Sequence, residues 1–169
     1  MKIALTGTPG TGKSTISDMV DEGYGIVHIN DLIKEKYNTG SDHDRDGALI
    51  ADLDGLSDYV DSLEGNYILE GHVSHLLPVD AVIVLRASPS SLRERLKSRG
   101  WKEGKVRENV EAEALDVILI EAMSYNDKVY EINTTNMTPT EVRDAVREII
   151  KGSDRYAPGS IDFSEEAFF

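Results

Sequence analysis

A chain of 169 residues, 40% apolar and 29% charged, has the length of one domain and enough apolar material to bury a core. It contains no cysteine, which excludes disulfides, thiolate metal sites, iron–sulfur clusters and cysteine nucleophiles and suits a reducing compartment. With 18 basic against 31 acidic residues the net charge is −13, the reverse of what a phosphate-backbone binder carries, so no direct DNA contact is expected.

The first apolar run, Lys2–Thr6, reads as a buried strand. It leads straight into Gly7-Thr8-Pro9-Gly10-Thr11-Gly12-Lys13-Ser14, which fits the phosphate-loop pattern G-x-x-x-x-G-K-[ST] between a strand and a helix. The glycines let the backbone curl so that successive N–H groups, through Gly10, Thr11 and Gly12, point at phosphate oxygens. The helix that follows adds free N–H groups and its positive dipole end. Lys13 is expected on the β- and γ-phosphates, the Ser14 hydroxyl on Mg²⁺ and Thr15 at the α-phosphate. The N-K-x-D element of guanine-specific proteins does not occur, so ATP is the expected nucleotide.

Ile26–Ile29 reads as the second strand. Asn30 then opens a helix with Lys34 one turn on, and Asn30 serves as its N-cap or faces an acceptor. Asn38–Gly47 is polar, charged and glycine-bounded, without strand character, and reads as a loop. Asp52-Leu53-Asp54-Gly55 formally matches the D-x-x-G of GTPases but reads as a helix start. The third strand, Tyr67–Glu70, ends in Leu69-Glu70-Gly71-His72 at the carboxyl edge of the sheet, where parallel α/β proteins bind ligands. There Glu70 is placed to order Mg²⁺ through water, and His72 to hold a phosphate or position a water. His75 reads as a surface-loop histidine.

Ala81–Leu85 is the fourth strand, with Arg86 at its end a weaker site candidate. Ser88-Pro89 caps a helix that carries Leu92 and Leu96 on one face. Arg95 and Arg99 lie four apart on that helix, where the basic segment Arg99–Arg107 departs with Gly100, Gly104 and the only tryptophan. This arrangement suits a lid that closes on ATP and excludes water, with Arg95 neutralising transferred charge and Arg99 on adenine or the γ-side phosphates. A single helix is expected from Asn109 to about Ser124. The fifth strand, Val129–Ile132, leads to a polar loop in which Asn136 makes an edge contact to adenine or belongs to a plain turn. Thr138-Pro139-Thr140-Glu141 is a capping box. Ser153–Phe169 reads as a polar, disordered tail ending in Phe168-Phe169. Strands alternating with helices predict an α/β fold with a parallel sheet covered on both faces. No run approaches the roughly 18–20 apolar residues that span a bilayer, so a cytoplasmic protein away from any membrane is expected, and the lack of a long apolar edge or heptad makes a monomer the expectation.

GTPGTGKST at 7–15, HINDL at 28–32, LEGH at 69–72, RLKSRGW at 95–101 and KVRENVEAE at 105–113 together resemble the archaeal and eukaryotic isoenzyme-six adenylate kinases. The resemblance covers roughly residues 1–150. It implies a three-layer P-loop NTP hydrolase fold of nucleoside-monophosphate-kinase type, with five parallel strands in the order 2-3-1-4-5. The kinase domain would span 1–152, with an AMP-binding insert about 30–53 and a short lid about 98–108. ATP contacts are implied at Gly10, Gly12, Lys13, Ser14, Thr15 and Arg99. The family also contains ATPase factors of small-ribosomal-subunit maturation, which makes a small-subunit ribosomal protein an implied partner. The chain departs from the family at Glu70, where Asp is usual, and at Lys34, where an arginine often stands. Three functions follow: an ATP:AMP phosphotransferase with intrinsic ATPase activity, an ATPase switch acting on a ribosomal protein or RNA, or a kinase for another small acceptor such as shikimate, gluconate or a cytidylate.

Overall fold

The computed structural model describes residues 1–20 and 23–167. Its strands are β1 (Lys2–Thr6), β2 (Gly25–His28), β3 (Asn38–Asp42), β4 (Ala48–Ala51), β5 (Tyr67–Glu70), β6 (Ala81–Arg86) and β7 (Val129–Asn133). Its α-helices are α1 (Lys13–Ser17), α2 (Ile29–Glu35), α3 (Leu53–Ser62), α4 (Pro89–Ser98), α5 (Glu103–Ala114), α6 (Val117–Tyr125) and α7 (Pro139–Ile150). Five strands form one parallel sheet in the order β2-β5-β1-β6-β7. Counted within that sheet alone, the order is the expected 2-3-1-4-5.

The sheet is buried on both faces, which is why its strands read as unbroken apolar runs. Ile3, Leu5, Ile83 and Leu85 face the layer that contains Val142, Val146 and Ile149 of α7. Ala4, Val82 and Val84 face Leu119 and Ala122 of α6, while Val27 and Leu69 meet Ile29, Ile33, Leu56 and Val60. Each fully buried Val, Leu or Ile contributes about 1.5–3 kcal/mol, so the central strands are the most strongly held part of the chain. The caps were legible: Ser88 accepts from Ser91 N, Thr138 and Glu141 form the capping box, and Asp52 accepts from Gly55 N as the start of α3.

Several expectations are corrected. Asn38–Gly47 is not a loop but most of an antiparallel hairpin, β3–β4, which turns at Asp46 and Gly47 with positive φ. Its residues are exposed or half-buried on both faces, so no core imposed an alternating pattern. Within Arg99–Arg107 only the first residues form a turn. Helix α5 starts at Glu103, where Val106 and Val110 pack on Leu92, Leu96 and Trp101. The single helix over 109–124 is two, broken where Asp116 takes φ 57°. Helix α2 begins at Ile29 with His28 in the capping position, so Asn30 is not its cap.

The C-terminal segment through residue 167 is docked rather than disordered. Glu131 N donates to Tyr156 O at 3.0 Å, Phe163 is buried, and Ser90 N donates to Glu166 Oε2 at 3.0 Å. Phe168 and Phe169 lie outside the described residues. Among the described residues, no helix is long and apolar enough to cross a membrane.

Candidate active site

The loop after β1 curls around the Lys13 ammonium. Lys13 Nζ donates to Gly7 O at 2.7 Å and to Thr8 O at 3.1 Å. Gly7 has no substitute here, because a Cβ would lie 2.4 Å from the Leu85 carbonyl oxygen. Gly12 enters α1 at φ 96°, a left-handed conformation that glycine adopts freely. Burial lowers the Lys13 pKa to about 8, against the raising influence of Glu70 and Glu113, and the charge of Arg99 lowers it further. That coupling places Arg99 within electrostatic reach of the loop, although its side chain is exposed. Arg99 is the C-cap residue of α4, one step beyond the helix face it was expected to share with Arg95. Arg95 touches the loop directly, donating from Nη1 to Gly10 O at 3.2 Å. Thr11 is held by Thr8 O, and Thr15 is exposed on α1.

At the end of β5, Glu70 is buried and accepts from Ser14 Oγ at 3.2 Å. Its other oxygen meets His28 Nδ1 at 2.9 Å, and His28 Nε2 lies 3.3 Å from Asp18. The hydrogen bond to Glu70 raises the His28 pKa despite partial desolvation. Sequence reasoning gave His28 no role of its own, although it ends a parallel strand at the ligand edge, where such a side chain meets the crevice. A hydroxyl beside a buried carboxylate next to the phosphate-loop lysine fits Mg²⁺, which binds few protein oxygens and keeps much of its water. Among the described residues, no group of three or more His, Cys, Asp or Glu forms a protein cage for a metal.

A cleft of about 790 Å³ opens from the loop, within the size range of small-molecule sites. Thr8, Pro9 and His72 line the end nearest the lysine, with Asn30, Ile33 and Lys34 on α2. Leu49 and Ile50 of the hairpin and Trp101, Lys105 and Asn109 on the α5 side are among its other lining residues. Asn30 Oδ1 is buried without a hydrogen-bond partner, so the amide has capacity to spare for a ligand. His72 is open to the cleft, yet the concave wall around it strips enough water to lower its pKa, and the Lys13 charge adds to this. Both influences favour the neutral imidazole. Asn136 is exposed on the loop after β7 and is not among the cleft residues.

Two residues depart from their sequence readings. His75 is buried, not a surface-loop residue. Its Nδ1 meets Thr6 Oγ1 at 2.9 Å and its Nε2 meets Glu121 Oε2 at 3.0 Å. Burial lowers its pKa, with Glu121 opposing. Arg86 is no ligand arginine either: it is 1% exposed and bridges Glu113, Asp116 and Glu131. Burial works against its charge, but Glu113 and Asp116 outweigh it, so the pKa rises.

A parallel sheet whose central strand feeds a lysine-centred phosphate loop defines a P-loop nucleotide-binding protein of α/β class. Residues 3–116 match the AAA domain family. The chain is 49% identical to a protein named "Putative adenylate kinase" from Archaeoglobus fulgidus, across 98% of this chain and 93% of that one. It is 43% identical to a protein of the same name from Pyrococcus abyssi, across 98% and 92%. The fold is similar to that of deoxyadenosine kinase from M. mycoides with bound dATP, with a TM-score of 0.60 over 89% of this chain and 100% of that one at 20% identity. This chain belongs to the AAA-domain family of adenylate-kinase-like P-loop proteins.

Proposed function

We propose that the chain is a nucleoside-monophosphate kinase that transfers the γ-phosphoryl group of ATP to AMP. The observation that carries this reading is the cleft of about 790 Å³ that opens directly from the phosphate loop, a second compartment beside the first. In the transfer, an oxygen of the AMP phosphate bonds to the γ-phosphorus while the bond from that phosphorus to the β–γ bridging oxygen breaks, leaving two ADP. The nucleophile is already anionic, so the reaction asks for placement and charge stabilisation more than for a base. Lys13 supplies charge at the β- and γ-phosphates, and Arg95 and Arg99 add to it from the lid side. Asn30 and Lys34 hold AMP. Ser14 and, through water, Glu70 would hold Mg²⁺, which neutralises phosphate charge when bound. The donor base lies toward the loop containing Asn136.

His72 supports a second activity at the same site. A neutral imidazole facing the cleft beside the lysine can orient water in place of AMP, giving slow ATP hydrolysis. The test is a coupled assay of ATP with AMP, other nucleoside monophosphates and non-nucleotide acceptors, run beside ATP alone. Turnover with AMP well above the other acceptors and above water is expected. Equal rates with and without every acceptor would reduce the protein to an ATPase.

A further inference from the structure

Thr8 joins two parts of the molecule through its two oxygens. Its carbonyl accepts from Lys13 Nζ at 3.1 Å, Thr11 N at 3.3 Å and Thr11 Oγ1 at 2.8 Å, so one backbone oxygen gathers the lysine and the middle of the phosphate loop. Its hydroxyl donates to Glu113 Oε2 at 2.6 Å. Both residues are buried, at 2% and 3% exposure. Glu113 lies in the last turn of α5, and Lys105, Glu108, Asn109 and Ala112 of that helix line the cleft.

The carboxylate is itself immobilised. Its Oε1 accepts from Arg86 Nε at 2.8 Å and Ala87 N at 3.1 Å. Arg86 Nη1 continues to Glu131 Oε2 at 3.1 Å, and Glu131 Oε1 accepts the N–H groups of Gly159, Ser160 and Ile161 at 2.8, 3.1 and 3.3 Å. Arg86 meets three carboxylates, those of Glu113, Asp116 and Glu131. Such an acidic, desolvated cluster is a poor way to gain stability, since well-packed apolar side chains often do as well or better. A fully bonded buried network does hold its members in one arrangement.

We propose that Glu113 is a positioning residue for phosphoryl transfer: through the Thr8 hydroxyl it fixes the phosphate loop, and Lys13 with it, against the helix that walls the acceptor cleft. The docked C-terminal segment is the far end of the same network and braces it. The proposal rests on ATP occupying the phosphate loop as proposed above, and does not depend on which acceptor fills the cleft.

Thr8→Val removes the hydroxyl with little change of shape and leaves Glu113 bonded to Arg86 and Ala87. In the full-length chain, kcat is expected to fall about 10–100-fold, the scale of a misplacement near 1 Å. The ATP Kd from calorimetry should stay within about threefold, because the loop backbone and lysine remain. Thr8→Ser restores the hydroxyl and should restore kcat to within about twofold. Glu113→Gln should lower kcat similarly, and the Thr8→Val, Glu113→Gln double variant should be no worse than the poorer single one. A Thr8→Val enzyme with parental kcat, a Thr8→Ser enzyme as slow as Thr8→Val, or losses that multiply in the double variant would each overturn the proposal. If Glu113→Gln does not fold, the Thr8→Val and Thr8→Ser pair decides alone. A wrong acceptor shows differently, as a parent inactive with AMP, and the same kcat ratios are then read with whatever acceptor, water included, the parent uses.

Discussion

The two sides of the cleft are built on opposite principles. On the donor side Thr8, Thr11, Lys13, Glu70, Arg86, Glu113 and Glu131 are all buried, and all are bonded to partners distant in sequence or to the phosphate loop. On the acceptor side the β3–β4 hairpin is a two-stranded arm with its side chains largely in solvent. It is tied at its root by Asp52 N to Tyr37 O at 2.9 Å and Asn38 Nδ2 to Ile33 O at 2.7 Å. At its tip an exposed ion pair, Lys102 to Asp46 at 2.9 Å, reaches the turn before α5. Few buried contacts and exposed backbone bonds mark the segments that open most easily. In the proposed reaction, the protein is most densely bonded where phosphorus would change partners and least so where an acceptor would enter and leave.

Mutations on the donor side should therefore change turnover most, and those on the hairpin least. Lys13→Ala is the largest case. Phosphotransfer and ATP hydrolysis should both fall by about 10²–10³ or more, as when a group that stabilises transition-state charge is lost, with the circular dichroism unchanged. A variant within about tenfold of the parent would remove the lysine from the chemistry. The same residue sets a pH dependence. With its pKa at about 8, the ammonium that attracts phosphates is lost as pH rises through that value, so ATP affinity of the free protein should weaken there. Stability moves the other way between about 8 and the ordinary 10.5, because the unfolded chain still holds a proton that the folded one has released. ATP titrations and melts at pH 7 and 9 separate the two.

His72→Gly comes next. Hydrolysis without acceptor should drop roughly 10–100-fold, the scale of losing one positioning group. Transfer to AMP should fall less, because AMP brings its own nucleophile, and ATP affinity should barely move. Equal survival of both rates would make His72 a bystander. Arg99→Ala should weaken ATP binding by about three- to tenfold, as expected for one charge-assisted contact. Its stability should change by no more than about 0.5 kcal/mol, since the side chain is exposed. A large loss of stability with unchanged ATP affinity would recast it as structural. The smallest effect belongs to the hairpin tip. Asp46→Asn should leave the ATP Kd and melting temperature unaltered and shift the acceptor KM by about twofold at most, because exposed ion pairs are weak and screened. A Tm drop of several degrees would mean that the arm is as firmly held as the donor side.

The same contrast explains what could be read in advance. The phosphate loop, the five sheet strands and the caps at Ser88, Asp52 and Thr138 each rest on a signal within a few residues. The places of Glu70 and Ser14 were legible because a strand end and a helix start carry their own positional meaning. The hairpin was not, since strands that bury neither face leave no period in the sequence. The break at Asp116 was hidden because apolar spacing runs on across it, while a non-glycine residue with positive φ is held there with its carboxylate bonded to Arg86.

What the sequence alone determined is the five strands of the parallel sheet in chain order, their two-sided burial and the position of the phosphate loop between the first strand and the first helix. These follow from hydrophobic runs, backbone freedom at glycine and helix-end chemistry, all of them local. Only the tertiary structure decided what the buried charges do. Arg86 looked like a strand-end site arginine and His75 like a surface residue, whereas nothing local marked Glu113 as a buried partner of Thr8 and Arg86 or the C-terminal segment as docked. Thr8 and Glu113 are 105 residues apart, and Arg86 lies 27 and 45 residues from Glu113 and Glu131. A charge survives burial only when a partner is brought to it, and partners that far along the chain are assigned by the fold.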